Sequence, residues 1–201
     1  LIAYYPYMES IGSITSQKFS LADKESQALY IMWGERDKVS ATKSPVEIRM
    51  KPLMAYIELT IKRGAGWSDN EWKSAEKSVK LCNTLIDAEF NVAMGKVKAT
   101  GEPKEVDISA SGDCFTSVAI PQSVSASTRL FTVAIDGEEY YYNLSEKLDI
   151  TAGLKHSFVL TIPKRGESPD SNKLSGTVIG TRYSVDYSNG QASETVNVKS
   201  N

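Results

Sequence analysis

The sequence predicts an all-β fold, an antiparallel β-sandwich, and three observations carry that prediction. Apolar and polar residues alternate with a period of two along most of the 201 residues. Turn residues interrupt the alternation at spacings of roughly 8 to 12 residues, the rhythm of a sandwich. The strand–helix–strand alternation that would build a doubly wound sheet is missing.

The opening, Leu1 to Tyr7, reads as a strand met in mid-pattern, with Leu1, Ala3 and Tyr5 on one face and Ile2 and Tyr4 on the other. It lacks a basic start and a small-residue cleavage site, so it does not read as a signal peptide. With no initiating Met either, the expectation is that upstream sequence has been removed. Val46, Ile48 and Met50 alternate with Glu47 and Arg49, which predicts a strand over 46–50. Pro52 cannot donate a ladder hydrogen bond, so it marks a bulge, an edge or a strand boundary. The pattern resumes from Met54 to Ile61, with Tyr56, Glu58 and Thr60 opposing Ala55, Ile57, Leu59 and Ile61. Gly64-Ala65-Gly66 closes that strand. A short helix should follow, capped by Ser68 or Asp69 and running through Glu71, Trp72, Ala75 and Glu76.

Strand character returns at Ser78, with Val79 and Leu81 alternating with Lys80. Ala88, Phe90 and Val92 then alternate with Glu89 and Asn91, and Met94-Gly95 turns the chain before Lys96 to Lys98. The best-specified local element joins Arg129–Ile135 to Glu138–Leu144 through Asp136-Gly137. That dipeptide is favoured in a two-residue type I′ hairpin because both positions need positive φ. The loop length places Val133 opposite Tyr140 and Phe131 opposite Tyr142 on one face. Thr132 then meets Tyr141 and Ala134 meets Glu139 on the other, so two rings of the tyrosine triplet point inward and one outward. A strand from His156 to Ile162 follows the Ala152-Gly153 turn and stops at Pro163. The stretch 164–175, rich in Pro, Ser, Gly and Asp, should be an exposed loop. Last come strands over 177–187 and 195–199, separated by Ser188-Asn189-Gly190.

Composition excludes several classes. A net charge of −2 with dispersed Lys and Arg argues against nucleic-acid binding, which needs a concentrated basic surface. No apolar run reaches the roughly 18 to 20 residues that cross a bilayer as a helix. Cys82 and Cys114 stand too far apart for a zinc motif, and two readings stay open: one bridge in an oxidising compartment, or two free, partly buried thiols. His156, the one histidine, reads as a surface or strand-end residue, and no Gly-x-Ser-x-Gly elbow accompanies it. Neither an EF-hand pattern nor a phosphate loop is present, so no catalytic residue, metal or cofactor is called for.

Several phrases together carry a resemblance. They are Ile2-Ala3-Tyr4-Tyr5-Pro6-Tyr7, Gln27 to Gly34, Pro52 to Ile61 and Ala88 to Val97. The longest block is Ala119-Ile120-Pro121-Gln122, then Leu130 to Tyr142, then Thr151 to Phe158. In order and spacing over roughly residues 1 to 165 they resemble the fimbrillin family of Bacteroidetes pilus subunits. Past about residue 165 the likeness fades: Ile179-Gly180-Thr181-Arg182-Tyr183 replaces the family's Ile-x-x-Trp ending. Lys51 or Pro52 stands where the family carries a histidine.

The resemblance implies transthyretin-like β-sandwich domains in a lipoprotein exported to the outer membrane or fimbrium. Residues 1–44 would be the last part of an N-terminal domain and 45–201 a complete C-terminal domain. Its lipid anchor would attach upstream of Leu1. Assembly in such a family proceeds by β-strand addition between pilus subunits, with adhesion to host or bacterial surfaces as the outcome. Glu194, Thr195, Val196, Asn197 and Val198 form the candidate donor strand, against the plainer reading of a last strand in its own sandwich. A second hypothesis is a carbohydrate-binding surface module in which outward-facing Trp67, Trp72 and Tyr141 stack on sugars.

Overall fold

The computed structural model describes residues 1–9, 11–22, 29–40 and 45–164, together with the backbone of the strands that lie between 173 and 198. The first strands are β1 (Ile2–Tyr5), β2 (Gln17–Ser20), β3 (Met32–Glu35), β4 (Lys51–Pro52) and β5 (Ala55–Arg63). Helix α1 (Asp69–Ser74) precedes β6 (Lys77–Thr84), β7 (Asp87–Asn91), β8 (Lys96–Thr100), β9 (Lys104–Asp107) and β10 (Ser109–Ser111). Then come β11 (Cys114–Ala119), β12 (Gln122–Val124), β13 (Arg129–Ile135), β14 (Glu138–Asn143), β15 (Leu148–Ile150) and β16 (Leu154–Ile162). The last strands are β17 (Lys173–Leu174), β18 (Gly176–Arg182), β19 (Val185–Asp186), β20 (Gln191–Ala192) and β21 (Asn197–Val198).

Two sheets form the sandwich. One has the order β10-β11-β5-β16-β18-β21, the other β17-β14-β13-β6-β9. Period-two alternation turns Ile57, Leu59 and Ile61 of β5 and Phe158, Leu160 and Ile162 of β16 inward, where they are buried. The facing sheet supplies Val79, Leu81, Phe131, Val133, Tyr140 and Tyr142. Phe158 joins the layers, with its ring centroid 5.0 Å from Phe131 and 6.1 Å from Tyr142. Both contacts are edge-on, the arrangement that aromatic quadrupoles favour.

The hairpin has the predicted register, Val133 with Tyr140 and Phe131 with Tyr142, and Asp136 and Gly137 have φ of 49° and 83°. The helix begins where expected, at Ser68. Expectation fails elsewhere in three ways. Residues 46–50 keep their alternation in exposure but form no ladder: the segment runs extended beside β3, with Arg36 Nη1 donating to Glu47 O at 2.9 Å. The strand expected over 177–187 is divided between β18 and β19. The sandwich is also not wholly antiparallel. Its central pair, β5 with β16, is parallel from Tyr56–Lys155 to Arg63–Ile162. No hairpin links these strands, and the intervening chain, which builds β6, β9, β13 and β14 of the second sheet, is the long crossover that a parallel pair needs. Of the loop expected over 164–175, residues 165–172 lie outside the described residues, while Lys173–Leu174 pair in parallel with β14.

Two small sheets, β1-β3-β4 and β2-β7-β8, sit beside the sandwich. Each contains strands from both sides of residue 44: β3 pairs with β4, and β2 with β7. Buried Trp33 secures the junction by donating its Nε1–H to Val92 O at 2.7 Å, while Tyr4 meets Phe90 edge-on at 6.4 Å. Gly95, in the β7–β8 turn, has φ of 58°, and a Cβ there would run into the Trp33 indole. Gly95→Ala is therefore expected to cost about 1–3 kcal/mol from backbone strain alone, and more from the clash. Chemical denaturation measures this, and an unchanged midpoint would show that Trp33 yields freely. A protease site inserted between 41 and 44 is expected, once cut, to leave two fragments that co-elute in gel filtration. Fragments that separate would show two independent halves.

Candidate functional site

Strand edges are where a β-sandwich offers backbone hydrogen-bonding groups to a partner. Most edges here carry charge that discourages pairing. β8 presents Lys96 and Lys98, β9 presents Lys104, Glu105 and Asp107, and β2 carries Lys18. β1 differs. Its one strand partner among the described residues is β3, and no charged side chain occurs from Leu1 to Tyr7. Tyr5 is 55% exposed and Tyr7 is 83% exposed. The strand is nevertheless firmly seated. Arg36 N–H donates to Leu1 O at 3.0 Å, and the Leu1 nitrogen donates to Arg36 O at 2.9 Å.

At the opposite end of the chain, Asn197 and Val198 of the candidate donor strand form β21. They pair antiparallel with Thr181 and Gly180 of β18, on the outer edge of the six-stranded sheet. Glu194, Thr195 and Val196 lie outside the described residues.

The tryptophans expected to face outward do not. Trp67 and Trp72 are 7% and 6% exposed and meet edge-on at 5.9 Å. The cause is local. A capping box fixes the start of α1, with Glu71 N–H donating to Ser68 Oγ and Ser68 N–H donating to Glu71 Oε2 at 2.9 Å. That start aims Trp72 inward, where its Nε1–H donates to Asp113 Oδ2 at 2.9 Å. Lys77 lies 4.5 Å from the Trp72 ring centre and 2.9 Å from Asp113 Oδ1. Lys164 covers Trp67 at 5.3 Å while pairing with Glu71 at 2.6 Å. The hydrogen bond from Lys164, then those from Ser68, hold the Glu71 carboxyl down at about 2. Both indoles are thus capped by lysine ammonium groups, which are attracted to the ring faces. Tyr141 is half-buried, with the Arg129 guanidinium 3.9 Å from its ring centre and its hydroxyl donating to Glu139 at 2.9 Å.

The sulfur and imidazole groups are also placed. Cys82 and Cys114 are free, on β6 and β11 of opposite sheets. Burial pushes the Cys82 thiol up from its ordinary value, with Thr132 Oγ1 3.4 Å away. His156 is not a surface residue: it is 4% exposed on the inner face of β16. The signal that could have found it lies in the sequence, because His156 shares the parity of Phe158, Leu160 and Ile162. Among the described residues, no group of three or more His, Cys, Asp or Glu could hold a metal ion.

These features define a β-sandwich protein whose accessible chemistry runs along strand edges. The chain belongs to the fimbrillin-like family, whose model matches residues 1–179. No curated protein matches it. Among solved structures, a candidate cell adhesion protein from Bacteroides uniformis superposes with a TM-score of 0.71 at 19% identity, over 90% of this chain and 71% of that one. One from Bacteroides ovatus gives 0.67 at 18% identity, over 88% of this chain and 64% of that one. A third, from Bacteroides thetaiotaomicron, gives 0.56 at 15% identity over 82% and 65%. At such identities the likeness establishes the fold.

If the tryptophans are structural, Trp72→Ala should lower the unfolding free energy by about 3–5 kcal/mol. Urea denaturation reads this directly. An unaltered midpoint would return the ring to the role of a ligand contact.

Proposed function

We propose that this chain is a fimbrial subunit, or a tip or anchor accessory protein, of a Gram-negative Bacteroidetes cell surface. It serves adhesion without catalysis and assembles by β-strand addition. The observation that carries the reading is the fimbrillin-like match over residues 1–179. Two strands of this chain give it a physical form. β1 is an uncharged edge with exposed aromatic side chains, the type of edge that natural sheets ordinarily protect. β21 is a short outer strand, separated from the central β5–β16 pair by β18. Its segment, Glu194 to Val198, is the donor in this proposal, and the partners are other subunits of the same pilus. Membrane attachment is through a lipid upstream of Leu1, which places the assembled protein in the fimbrium or at the outer membrane. Residues 1–44 close an N-terminal sandwich in this reading, with the two small sheets as its junction to residues 45–201.

The solved relatives from Bacteroides uniformis and Bacteroides ovatus, candidate cell adhesion proteins, agree with this role. Sugar stacking loses two of its three supports, because both indoles are covered by lysines.

Surface extracts of the native organism, run unheated and boiled on SDS gels and blotted for this chain, test the proposal. A ladder that collapses to one band on boiling marks a strand-exchanged shaft subunit. Deleting residues 194–201 should then abolish the ladder while leaving the monomer folded. A single band in both lanes removes the shaft role and leaves the tip or anchor role. A ladder that persists after the deletion removes the proposed donor.

A further inference from the structure

Buried imidazoles are costly to protonate, and what an imidazole nitrogen accepts decides what protonation would break. His156 sits on the inner face of β16, between Ile57 of β5 and Gly180 of β18 in the ladder register. Its Nε2 accepts the backbone N–H of Thr151 at 3.2 Å. Thr151 begins the turn that feeds β16. Leu154 N–H donates back to Thr151 O at 3.1 Å, and Gly153 N–H donates to Met54 O at 2.8 Å. The same turn ends β15, whose one strand partner among the described residues is β12. Thus two bonds tie the turn to the end of the central parallel pair, Gly153 N–H to Met54 O and Thr151 N–H to the unprotonated His156 nitrogen, and the second alone depends on pH.

We propose that His156 is a pH-sensitive latch on the 151–153 turn. When Nε2 gains a proton it becomes a donor facing another donor, inside an apolar layer. The Thr151 contact is lost, and the imidazolium reaches water only if the turn swings away. Few groups compete for that charge. Glu58 and Lys155 pair with each other at 3.0 Å on the outer face of the sheet. Lys147 and Asp149 pair at 2.7 Å on the exposed side of β15. Gly180 brings no side chain, and Arg182 stands two positions further along β18. From the facing sheet comes the Tyr142 phenol, which burial and then Glu146 push up and so keep neutral.

The sign follows from linkage. Burial holds the His156 imidazole below the ordinary value of 6.5 while the turn is closed. The open turn restores the ordinary value, so opening takes up a proton. Closure is therefore fully stable above about pH 6.5 and weakens as pH falls toward the closed-state value.

Amide hydrogen exchange of the intact chain, followed by NMR from pH 7.5 to 5 and divided by intrinsic rates, tests the latch. Thr151 is expected to open more readily than the core amides of Leu59 and Phe131 at every pH. Below pH 6.5 its opening should rise about tenfold per pH unit. His156→Gln keeps an acceptor that does not titrate, and should flatten that rise. The wild-type titration suffices if the variant does not fold. Thr151 opening that is independent of pH, or that matches the core amides throughout, would overturn the proposal.

Discussion

The two large sheets of this molecule are held face to face by the packing of Phe158 against Phe131 and Tyr142. Phe158 lies on β16, one half of the central parallel pair, while the other two rings lie on the strands of the Asp-Gly hairpin. Two sheets whose inner faces are apolar have no other stable way to remove those faces from water. Once these rings interlock, the outer strands are fixed by registers counted from them. β11 follows from β5, β18 from β16, and β6 from β13. The edges of the two large sheets are consequently distant products of a central contact, while β1, β2 and β8 are set by the two small sheets beside them.

Much of this was legible in the sequence because period two is a local property. In the hairpin, turn chemistry and register agree, so Val133, Tyr140, Phe131 and Tyr142 could be assigned to the core without a structure. The capped helix was legible for the same reason, since the Ser68–Glu71 capping box spans four residues. What failed needed information from far along the chain. The parallel pairing of β5 with β16 joins residues about a hundred apart, and no local pattern sets its direction. Trp67 and Trp72 look exposed in a polar stretch, but Asp113, Lys77 and Lys164 arrive from other elements to cover them. Residues 46–50 alternate as a strand does, yet remain outside a ladder. Alternation reports which side faces water; it does not report whether a neighbour is hydrogen-bonded.

The candidate site was legible to a different degree. The N-terminal strand could be seen as uncharged, but its status as an edge among the described residues depends on β3, from 27 residues or more further on, occupying one side of it. The same distinction separates His156 from its first reading. Parity places it inward with Phe158, whereas its hydrogen bond to Thr151 emerges only when the turn is built.

Edge chemistry argues for reading β1 and the charged edges together. Lysines on β8 and mixed charges on β9 oppose the approach of another strand, because pairing would desolvate them. A protein that guarded all its edges in this way would have no route to strand addition. One that guarded none would aggregate. Here the charge is distributed unevenly: β1, β10 and β21 are edges without charged residues, and β1 is the one flanked by the exposed aromatic side chains Tyr5 and Tyr7. Charge guards β2, β8 and β9, and in the proposed assembly an uncharged edge is what a partner strand would meet.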